Sequence, residues 1–539
     1  MISSPVTSSP PSAVAAPPRA LASVGSRTSY SGAGSNGNIA LWRPPLKSAD
    51  GDMLRDAGVI RARARDLRRN HPYAQQAVRA SRLGVIGKRL RYSCRPDYRF
   101  LGISPDEAAR WGQEFERLWE TYAHGRGAFV DAGRRLNFTQ MMSLAHDCLF
   151  TDGEFVAGVE WDWRRRWRTC LQAIDADRLS NPNGAPETPW LKAGVALDDM
   201  SAPIGYHIRD SHPSDSMLIG ARYNTHSFVP RETQWGRPVM LHVYEMERPG
   251  QTRGISAFAS VIATMKMGAE YTETALQQAI LQSSYAAVLV SQANYKDALE
   301  IINGMSPDEA KTVTELAEEN LLAAMEHHER IRLRFNGAQI PVLWPGDDLK
   351  MMSPATGAVS IGEFQAHATK SYAAGTGTDP IQVSQDYSQV NYSSVKMAAA
   401  TSYRHYEARR QILIDGVAHP TVAGYLEEVV HSGALHLPKG IKPHEFYDAQ
   451  NALCAGVFLT QGAPSLDPLK EAQAMQLELG MGMATLQDSL AERGIDYIEC
   501  LDQLAFERTQ RAMRGIPNPG ELPWQAASAG DPAQPQDGG

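Results

Sequence analysis

The chain has 539 residues, of which 43% are hydrophobic and 21% charged, and its net charge at pH 7 is −7. That length allows several hydrophobic cores. The sequence has no run of about 18 apolar residues and so predicts no membrane-spanning helix. The five cysteines have no CxxC spacing, which argues against a disulfide framework or a cysteine zinc site.

The two ends of the chain differ in composition from the rest. Residues 1–40 are rich in Ser, Pro, Ala and Gly and lack a basic start followed by an apolar run, so we expect disorder and no secretory signal. Residues 516–539 have the same character and predict a disordered tail.

Basic residues are concentrated near the N-terminus. Residues 55–99 contain thirteen Arg and Lys against three Asp, a net charge of +10, which leaves −17 on the rest of the chain. Guanidinium groups suit phosphates, whereas a solvated helix explains the same pattern equally well. The candidate phosphate contacts are Arg61, Arg63, Arg65, Arg68 and Arg69.

Residues 41–254 predict a mixed α/β region. A helical pattern over 55–87 breaks at His71-Pro72, and Ser104 begins a capped helix with apolar residues at helical spacing. Strand-like alternation follows over 154–175, around the polar turn WDWRRRWR (161–168), and again at 205–209 and 239–244. That turn could stack bases, but a hairpin with Trp buried and Arg outside is the favoured interpretation.

A long helix is predicted over 255–285. Apolar residues step by three and four from Ile255 to Ala279, interrupted only by Thr272. About 30 residues at 1.5 Å each make a rod of about 45 Å. A core helix and a helix packed against copies of itself explain the stripe equally well.

The second half of the chain reads as an insert followed by helices. Residues 286–345 predict strand–helix–strand, with a helix from the capping residue Ser306 to about Arg330. A short helix near 362–374 precedes a glycine-punctuated segment over 375–393. A long helix capped by Ser393 or Ser394 follows. The pattern from Pro420 to about Arg514 is helical, with starts at Asp467-Pro468 and Thr485 and a stop at Gly494.

Catalytic motifs are missing from the sequence. It has no GxxxxGK[ST] phosphate loop and no HExxH, GxSxG or DxDxDG pattern. Asp175 and Asp177 could be paired carboxylates, but a solvated edge or a turn-capping pair is the favoured interpretation. We therefore expect no enzyme, no metal and no cofactor. Two alternatives stay open, a basic nucleic-acid-binding protein using residues 55–99 and a hydrolase using Asp175 and Asp177 with nearby histidines.

Five ordered segments resemble the lambda-like family of phage portal proteins. They are RRNHPYA (68–74) leading into GVIG (84–87), LQAIDADRL (171–179), RPGQTRGIS (248–256), DP (379–380) with DYSQVNYSS (386–394) and RHYEARRQ (404–411), and DPLKEAQA (467–474). Together they cover roughly residues 50–510 in the family's order.

The resemblance implies an α+β, predominantly helical ring subunit, usually one of twelve. It assigns a wing to 41–254, a stem helix to 255–285, a clip to 286–345, a second stem helix to 346–374, a channel loop to 375–393, a channel-facing helix to 394–419 and a helical crown to 420–515. The implied partners are the terminase large subunit, head-completion or connector proteins, the major capsid protein and double-stranded DNA without sequence specificity. The implied location is the virion, and the host cytoplasm during assembly.

The resemblance also gives candidate channel residues. They are Gly375, Gly377, Asp379, Asp386 and Asn391 in the loop, and Lys396 and Arg404 on the following helix. The two aspartates are the only charged residues between Lys370 and Lys396, so we expect the loop to repel phosphates. We also expect neither aspartate to lie in a core. The alternative is a surface turn with no DNA contact.

Overall fold

The computed structural model describes residues 41–215, 225–285, 319, 322–323, 332–335, 338–341, 361–388, 392–460 and 467–517. Residues 41–48 belong to a unit of their own and contain no helix or strand, and every element named below lies in the unit that begins at Ala49. The disordered segments predicted for 1–40 and beyond 517, most of the helix predicted from Ser306, and Asn391 lie outside the described residues.

Helices dominate the described part of the chain, and short strands form four antiparallel sheets. The helices are α1 (Ala49–Asn70), α2 (Pro72–Val85), α3 (Tyr98–Leu101), α4 (Pro105–His124), α5 (Phe138–Asp152), α6 (Ile262–Tyr285), α7 (Ile361–Thr376), α8 (Pro380–Ser384), α9 (Tyr392–Leu413), α10 (His419–His431), α11 (Phe446–Leu453), α12 (Pro468–Met481), α13 (Leu486–Glu492) and α14 (Tyr497–Met513). The strands are β1 (Arg91–Cys94), β2 (Glu154–Trp161), β3 (Thr169–Ile174), β4 (Leu191–Lys192), β5 (Val195–Leu197), β6 (Pro203–Arg209), β7 (His226–Pro230), β8 (Met240–Tyr244), β9 (Arg332–Phe335), β10 (Ala338–Pro341) and β11 (Gly456–Leu459). The predicted α+β, mainly helical fold is confirmed.

Local sequence signals set the first helices. The predicted break at His71-Pro72 is confirmed, since His71 Nδ1 accepts a hydrogen bond from Ala74 N and Pro72 occupies the first position of α2. Ser104 Oγ likewise accepts from Glu107 N at the start of α4. The apolar stripe of α4 is buried in the main core, where Tyr122 stacks on a tyrosine of α10.

The predicted strands of the first half are confirmed. β2 pairs with β3 on one side and β8 on the other, and β4 to β7 form a second sheet in chain order. Apolar side chains between the two sheets, among them Val156, Tyr206 and Met240, form a small core. This arrangement places the turn 162–168 at the tip of the β2–β3 hairpin.

The helix predicted over 255–285 begins seven residues later, at Ile262. Residues 255–261 form turns because Phe258 is fully buried against Phe150, with ring centroids 5.3 Å apart, and Ala257 N donates to the Phe150 carbonyl. The apolar stripe therefore has two roles. Its start packs within the chain, whereas Leu276 is 60% exposed further along.

The predicted second stem helix over 346–374 corresponds to α7, which runs from Ile361 to Thr376, and residues 346–360 lie outside the described residues. α7 packs on α6, because Tyr372 Oη donates to the Thr264 carbonyl. In the predicted insert, the structure describes a β9–β10 hairpin. β9 lies where the sequence predicted no strand.

The helix predicted over 394–419 does not end at residue 420, where the helical crown was expected to begin. α9 continues through a π-helical turn, Ile414–Ala418, into α10, and Pro420 is tolerated because it stands at the start of α10. Tyr425 and its neighbours on α10 pack in the main core with α4 and α5. The helical interpretation also missed β11, which pairs with β1.

The helix starts predicted at Asp467 and Thr485 and the stop at Gly494 are confirmed. The Asp467 and Thr485 side chains accept main-chain hydrogen bonds at the starts of α12 and α13, and Gly494 has a φ of 74° just after α13. No residue of α12 or α14 is buried. Of the helices described here, none is both long and apolar enough to cross a membrane.

Candidate nucleic-acid interface

Three of the five candidate phosphate-binding arginines face carboxylates. Arg61, Arg65 and Arg68 lie four and three residues apart and share one face of α1. Arg61 Nη1 lies 2.7 Å from Asp177 Oδ1 and its Nη2 2.7 Å from Glu154 Oε1, while the Arg61 side chain is only 8% exposed.

Arg65 and Arg68 also form ion pairs with carboxylates on this face of α1. Arg65 contacts Asp152 at 2.7 Å, Asp175 at 2.9 Å and Asp177 at 2.6 Å, and Arg68 contacts a carboxylate of α5. Burial acts to lower the pKa of Arg65, but the carboxylates of Asp152 and Asp177 raise it above its usual value. Arg61, Arg65 and Arg68, predicted as phosphate contacts, therefore have carboxylate partners in this structure, because α1 packs this face against α5 and the end of β3. Arg63 and Arg69 are exposed, and Arg69 Nη2 lies 3.9 Å from Asp66 Oδ1.

Glu154 is the centre of this ionic cluster. It has no exposed surface and accepts hydrogen bonds from Arg61, Arg253, His242 Nε2 at 2.9 Å and Gly254 N at 3.3 Å. Burial alone would raise the pKa of Glu154, but Arg253 and His242 hold it well below its usual range. The cluster joins α1, β2, β8 and the chain leading into α6.

Asp175 and Asp177 are not set up as a catalytic pair. Asp175 Oδ1 accepts from Asp177 N and caps a short 3₁₀ turn, Ala176–Arg178. Asp177 lies between Arg61 and Arg65, with His212 Nε2 at 3.3 Å. Guanidinium groups contact Asp175 Oδ1 and both oxygens of Asp177, so the two carboxylates belong to the ionic cluster of α1.

The candidate channel loop is partly helical. α7 ends at Thr376, and Gly377 follows with a φ of 67°, a conformation that favours glycine. Asp379 is the N-cap of α8, where its Oδ1 accepts from Ile381 N at 2.8 Å, and it is only 3% exposed. The expectation that neither aspartate is buried is wrong for Asp379, because α8 packs through Val383 on a further apolar cluster that contains Phe150, Phe258 and Tyr372. Asp386 is exposed, as expected.

Two neighbouring helices hold this segment. Gln76 Nε2 of α2 donates to the Gln382 carbonyl at 3.1 Å, and Tyr406 Oη of α9 donates to Gln382 Oε1 at 3.0 Å. Arg409 of α9 donates from Nη2 to the Thr376 carbonyl at 3.0 Å, with its guanidinium 5.0 Å from the Phe150 ring centroid. The exposed end of the segment is therefore residues 385–388, and residues 389–391 lie outside the described residues.

The other candidate channel residues lie on the helices before and after this segment. Gly375 lies inside α7, where an added Cβ would stand 2.3 Å from Val261 Cγ1, so close packing explains it better than mobility. Arg404 is exposed on α9, and the side chain of Lys396 is outside the described set. The sequence did not single out Gln382 as an anchor, and Arg409 was visible only as part of a family-like segment.

At the tip of the β2–β3 hairpin the expected division of Trp inside and Arg outside is wrong for two residues. Trp167 is buried, but Trp163 is 72% exposed. Arg165 is buried because its Nη1 donates to the Asp131 carbonyl at 2.8 Å. The turn therefore presents an indole and further arginines to solvent.

Comparison with known proteins gives consistent matches. Residues 35–410 match the sequence model of a family described as phage portal protein, lambda family. The chain is 32% identical to the portal protein of Escherichia phage N15 over 501 residues, covering 92% of each chain. It is 30% identical to portal protein B of Escherichia phage lambda over 505 residues, covering 92% of this chain and 91% of that one.

Among solved structures, the chain is similar to one described as the virion of a native gene transfer agent particle. That match has 14% identity and a TM-score of 0.39, and it covers 82% of this chain and 94% of the other. A chain from the neck of the native gene transfer agent particle matches with 12% identity and a TM-score of 0.37, over 84% of this chain and 95% of that one.

Proposed function

Because the chain belongs to the lambda family of phage portal proteins, we propose that it forms a closed ring at one vertex of a phage capsid. Double-stranded DNA enters and leaves the capsid through the channel of this ring, without being read for sequence. The observation that carries the proposal is the match along almost the whole chain to two portal proteins. In this proposal the ring has twelve subunits and is part of the virion.

Uncovered apolar surface supports assembly. On the far half of α6, Leu276 is 60% exposed and Ile280 is 49% exposed. The C-terminal helices add Leu477, Leu504 and Phe506, each more than half exposed. Apolar surface of this extent on helices is typical of interfaces between subunits, and a repeated heterologous contact closes into a ring.

The partners follow from the same proposal. Residues 286–345 are the clip on which the terminase large subunit docks, and head-completion or connector proteins later take its place. The ring contacts the major capsid protein at its outer edge and is assembled in the host cytoplasm. The chain needs no cofactor and hydrolyses no nucleotide itself, since its sequence lacks the residues that would hold a triphosphate with magnesium.

Residues 377–391 form the segment that meets DNA in the channel. Asp386 is the charged group at its exposed end, and the anchors on Gln382 and Thr376 fix the base of the segment. Repulsion between Asp386 carboxylates and phosphates keeps DNA from sticking to the wall. Arg404 and Lys396 lie on α9, which follows the segment, and Arg63 and Arg69 are the exposed members of the candidate phosphate contacts on α1.

The proposal is tested by the mass and shape of the purified chain. Native mass spectrometry should give a single species at a high multiple of 59.1 kDa, and electron micrographs should show rings with a central channel. A homogeneous monomer or dimer would contradict the proposal. An ATPase assay on the same sample should give no activity above that of a mock preparation.

A further inference from the structure

Tryptophan and arginine side chains form a cluster beside the β2–β3 hairpin, in which Trp163 is exposed, Trp161 and Arg168 are half-buried and the Arg237 side chain is 12% exposed. We call the side chains of Trp161, Trp163, Arg168 and Arg237 the hairpin patch. The Arg168 guanidinium lies 4.8 Å from the Trp163 ring centroid and 5.9 Å from that of Trp161, and Arg237 lies 5.0 Å from Trp161 on another side. The two indole rings are 5.7 Å apart and nearly perpendicular.

The patch carries unneutralised positive charge. Hydrogen bonds from the Arg164 main chain and guanidinium hold the pKa of Asp162 at about 2, and the ionised Asp162 pairs with Arg164 and Arg165. Within the described residues, neither Arg166 nor Arg168 has a carboxylate partner for its side chain. The Arg168 guanidinium therefore lies next to the indole of Trp163, which is 72% exposed, without a carboxylate partner among the described residues.

Two buried glutamates of α10 accept hydrogen bonds from residues of the hairpin patch and the adjoining strand. Glu428 of α10 accepts hydrogen bonds from the main-chain N–H groups of Arg168, at 2.7 Å, and Thr169, at 2.8 Å. Glu427 accepts from Arg237 Nη1 at 3.0 Å. Both carboxylates are almost fully buried. The surface is thus organised before any partner arrives, which reduces the entropy lost on binding.

We propose that the hairpin patch binds an acidic segment of another protein. A carboxylate of that segment meets Arg168, and an apolar side chain covers Trp163. Tryptophan and arginine are the residues enriched at the energetic centres of protein interfaces. Duplex DNA fits less well, because its bases are stacked inside the helix and its phosphates and sugars would leave the exposed indole uncovered.

The test measures binding of a short labelled peptide in which glutamate alternates with phenylalanine to the full chain. Trp163→Ala and Arg168→Gln should each raise the Kd at least about tenfold, as expected for central interface residues. Trp190→Ala and Arg110→Gln are matched controls, since both side chains are exposed elsewhere, and they should leave the Kd unchanged. Thermal melts and native mass spectra check that all four variants fold and assemble alike.

Two further probes identify the recognised chemistry. A peptide with glutamine in place of glutamate should bind at least about tenfold more weakly, because it lacks the charges that pair with guanidinium. Equal binding of the two peptides, or no binding of the acidic one, overturns the proposal. Loss of duplex DNA binding in Trp163→Ala and Arg168→Gln, with peptide binding unchanged, assigns the patch to nucleic acid instead. None of these outcomes depends on whether the chain forms a ring.

Discussion

Arg253 Nε lies 2.7 Å from Glu154 Oε2, and this ion pair is almost completely buried. The other end of the Arg253 guanidinium donates to the carbonyls of Leu179 and Ala193, at 2.8 Å and 2.7 Å. Glu154 also accepts from Arg61 and His242, so one carboxylate binds groups from three other parts of the chain. The orientation of α1 and of the segment before α6 therefore depends on Glu154.

Replacing Glu154 with glutamine should destabilise the fold strongly. The variant leaves Arg61 and Arg253 buried beside a neutral amide, and breaking a buried ion pair in this way typically lowers the free energy of unfolding by about 3–5 kcal/mol. Glu160→Gln is the matched control, because Glu160 lies on the same strand and is exposed. Urea unfolding monitored by circular dichroism measures both. A loss for Glu154→Gln no larger than that for the control would contradict the central role of Glu154.

Helix starts could be predicted because their causes are local. Ser104, Asp467 and Thr485 cap helices through main-chain groups two or three residues away, and proline follows two of them. The α1 arginines show the opposite case. Their spacing predicts a shared face, but the partner Glu154 lies 93 residues from Arg61 and Asp177 lies 116 residues away. Only tertiary packing decides that this face meets carboxylates and not phosphates.

In the candidate channel segment, too, the local structure could be predicted from the sequence and the tertiary packing could not. The sequence predicted a glycine-punctuated segment before a long helix, and the structure has Gly377 in the left-handed conformation at that place. The burial of Asp379 depends on how α8 docks, which involves side chains of α2 and α9 that are distant in sequence. The helix predicted to end before Pro420 is also longer than expected. A π-helical turn, Ile414–Ala418, lets it continue past this proline.

The stabilisation that Glu116 of α4 contributes should decrease as pH rises. Burial and, to a smaller extent, the charge of Asp496 raise the pKa of Glu116 from 4.5 to about 7, although the hydrogen bond from Cys94 N and the charge of Arg91 act in the opposite direction. The folded state thus holds the Glu116 proton more tightly than the unfolded state. The resulting stabilisation is fully present below pH 4.5 and is lost as the pH rises through about 7.

Glu116→Gln removes this titration and should flatten the pH dependence of unfolding between these two values. Glu120 and Glu499 line the same cavity and keep their charges in the variant, so they provide the background. Denaturant unfolding at a series of pH values measures the difference between wild type and Glu116→Gln. Identical slopes for the two proteins in this range would show that Glu116 is not the responsible group.

Assembly should depend on the exposed apolar face of α14. Leu501 and Leu504 lie three residues apart on one face and are 41% and 54% exposed. Burying a leucine between subunits contributes about 1.5–3 kcal/mol, and glutamate there would remove that and bury a charge. Leu501→Glu with Leu504→Glu should convert the ring to smaller species without unfolding the chain. Light scattering after size exclusion measures this, with Thr509→Glu as a control that adds one negative charge elsewhere on the same helix. Intact rings from the double variant would exclude this face as an interface.

The channel proposal is tested most directly at Asp386 alone. Asp379 is unsuitable, because replacing it removes the cap of α8, which costs about 1 kcal/mol, and places a lysine in a nearly buried position. Asp386 is exposed, and its Oδ1 accepts a local hydrogen bond from Ser388 N at 2.9 Å. A change at Asp386 therefore alters the charge of the segment with little effect on the fold.

Asp386→Lys should leave rings assembled but slow DNA packaging, because lysine would attract the phosphates that aspartate repels. The defect should ease as salt is added, since the screening length falls from about 30 Å at 0.01 M to about 8 Å at physiological ionic strength. Asp386→Asn removes the negative charge that repels phosphates without adding a positive charge that attracts them. Rings of this variant should package DNA at an intermediate or normal rate. Packaging by purified Asp386→Lys rings at the wild-type rate in low salt would mean that DNA does not meet this segment.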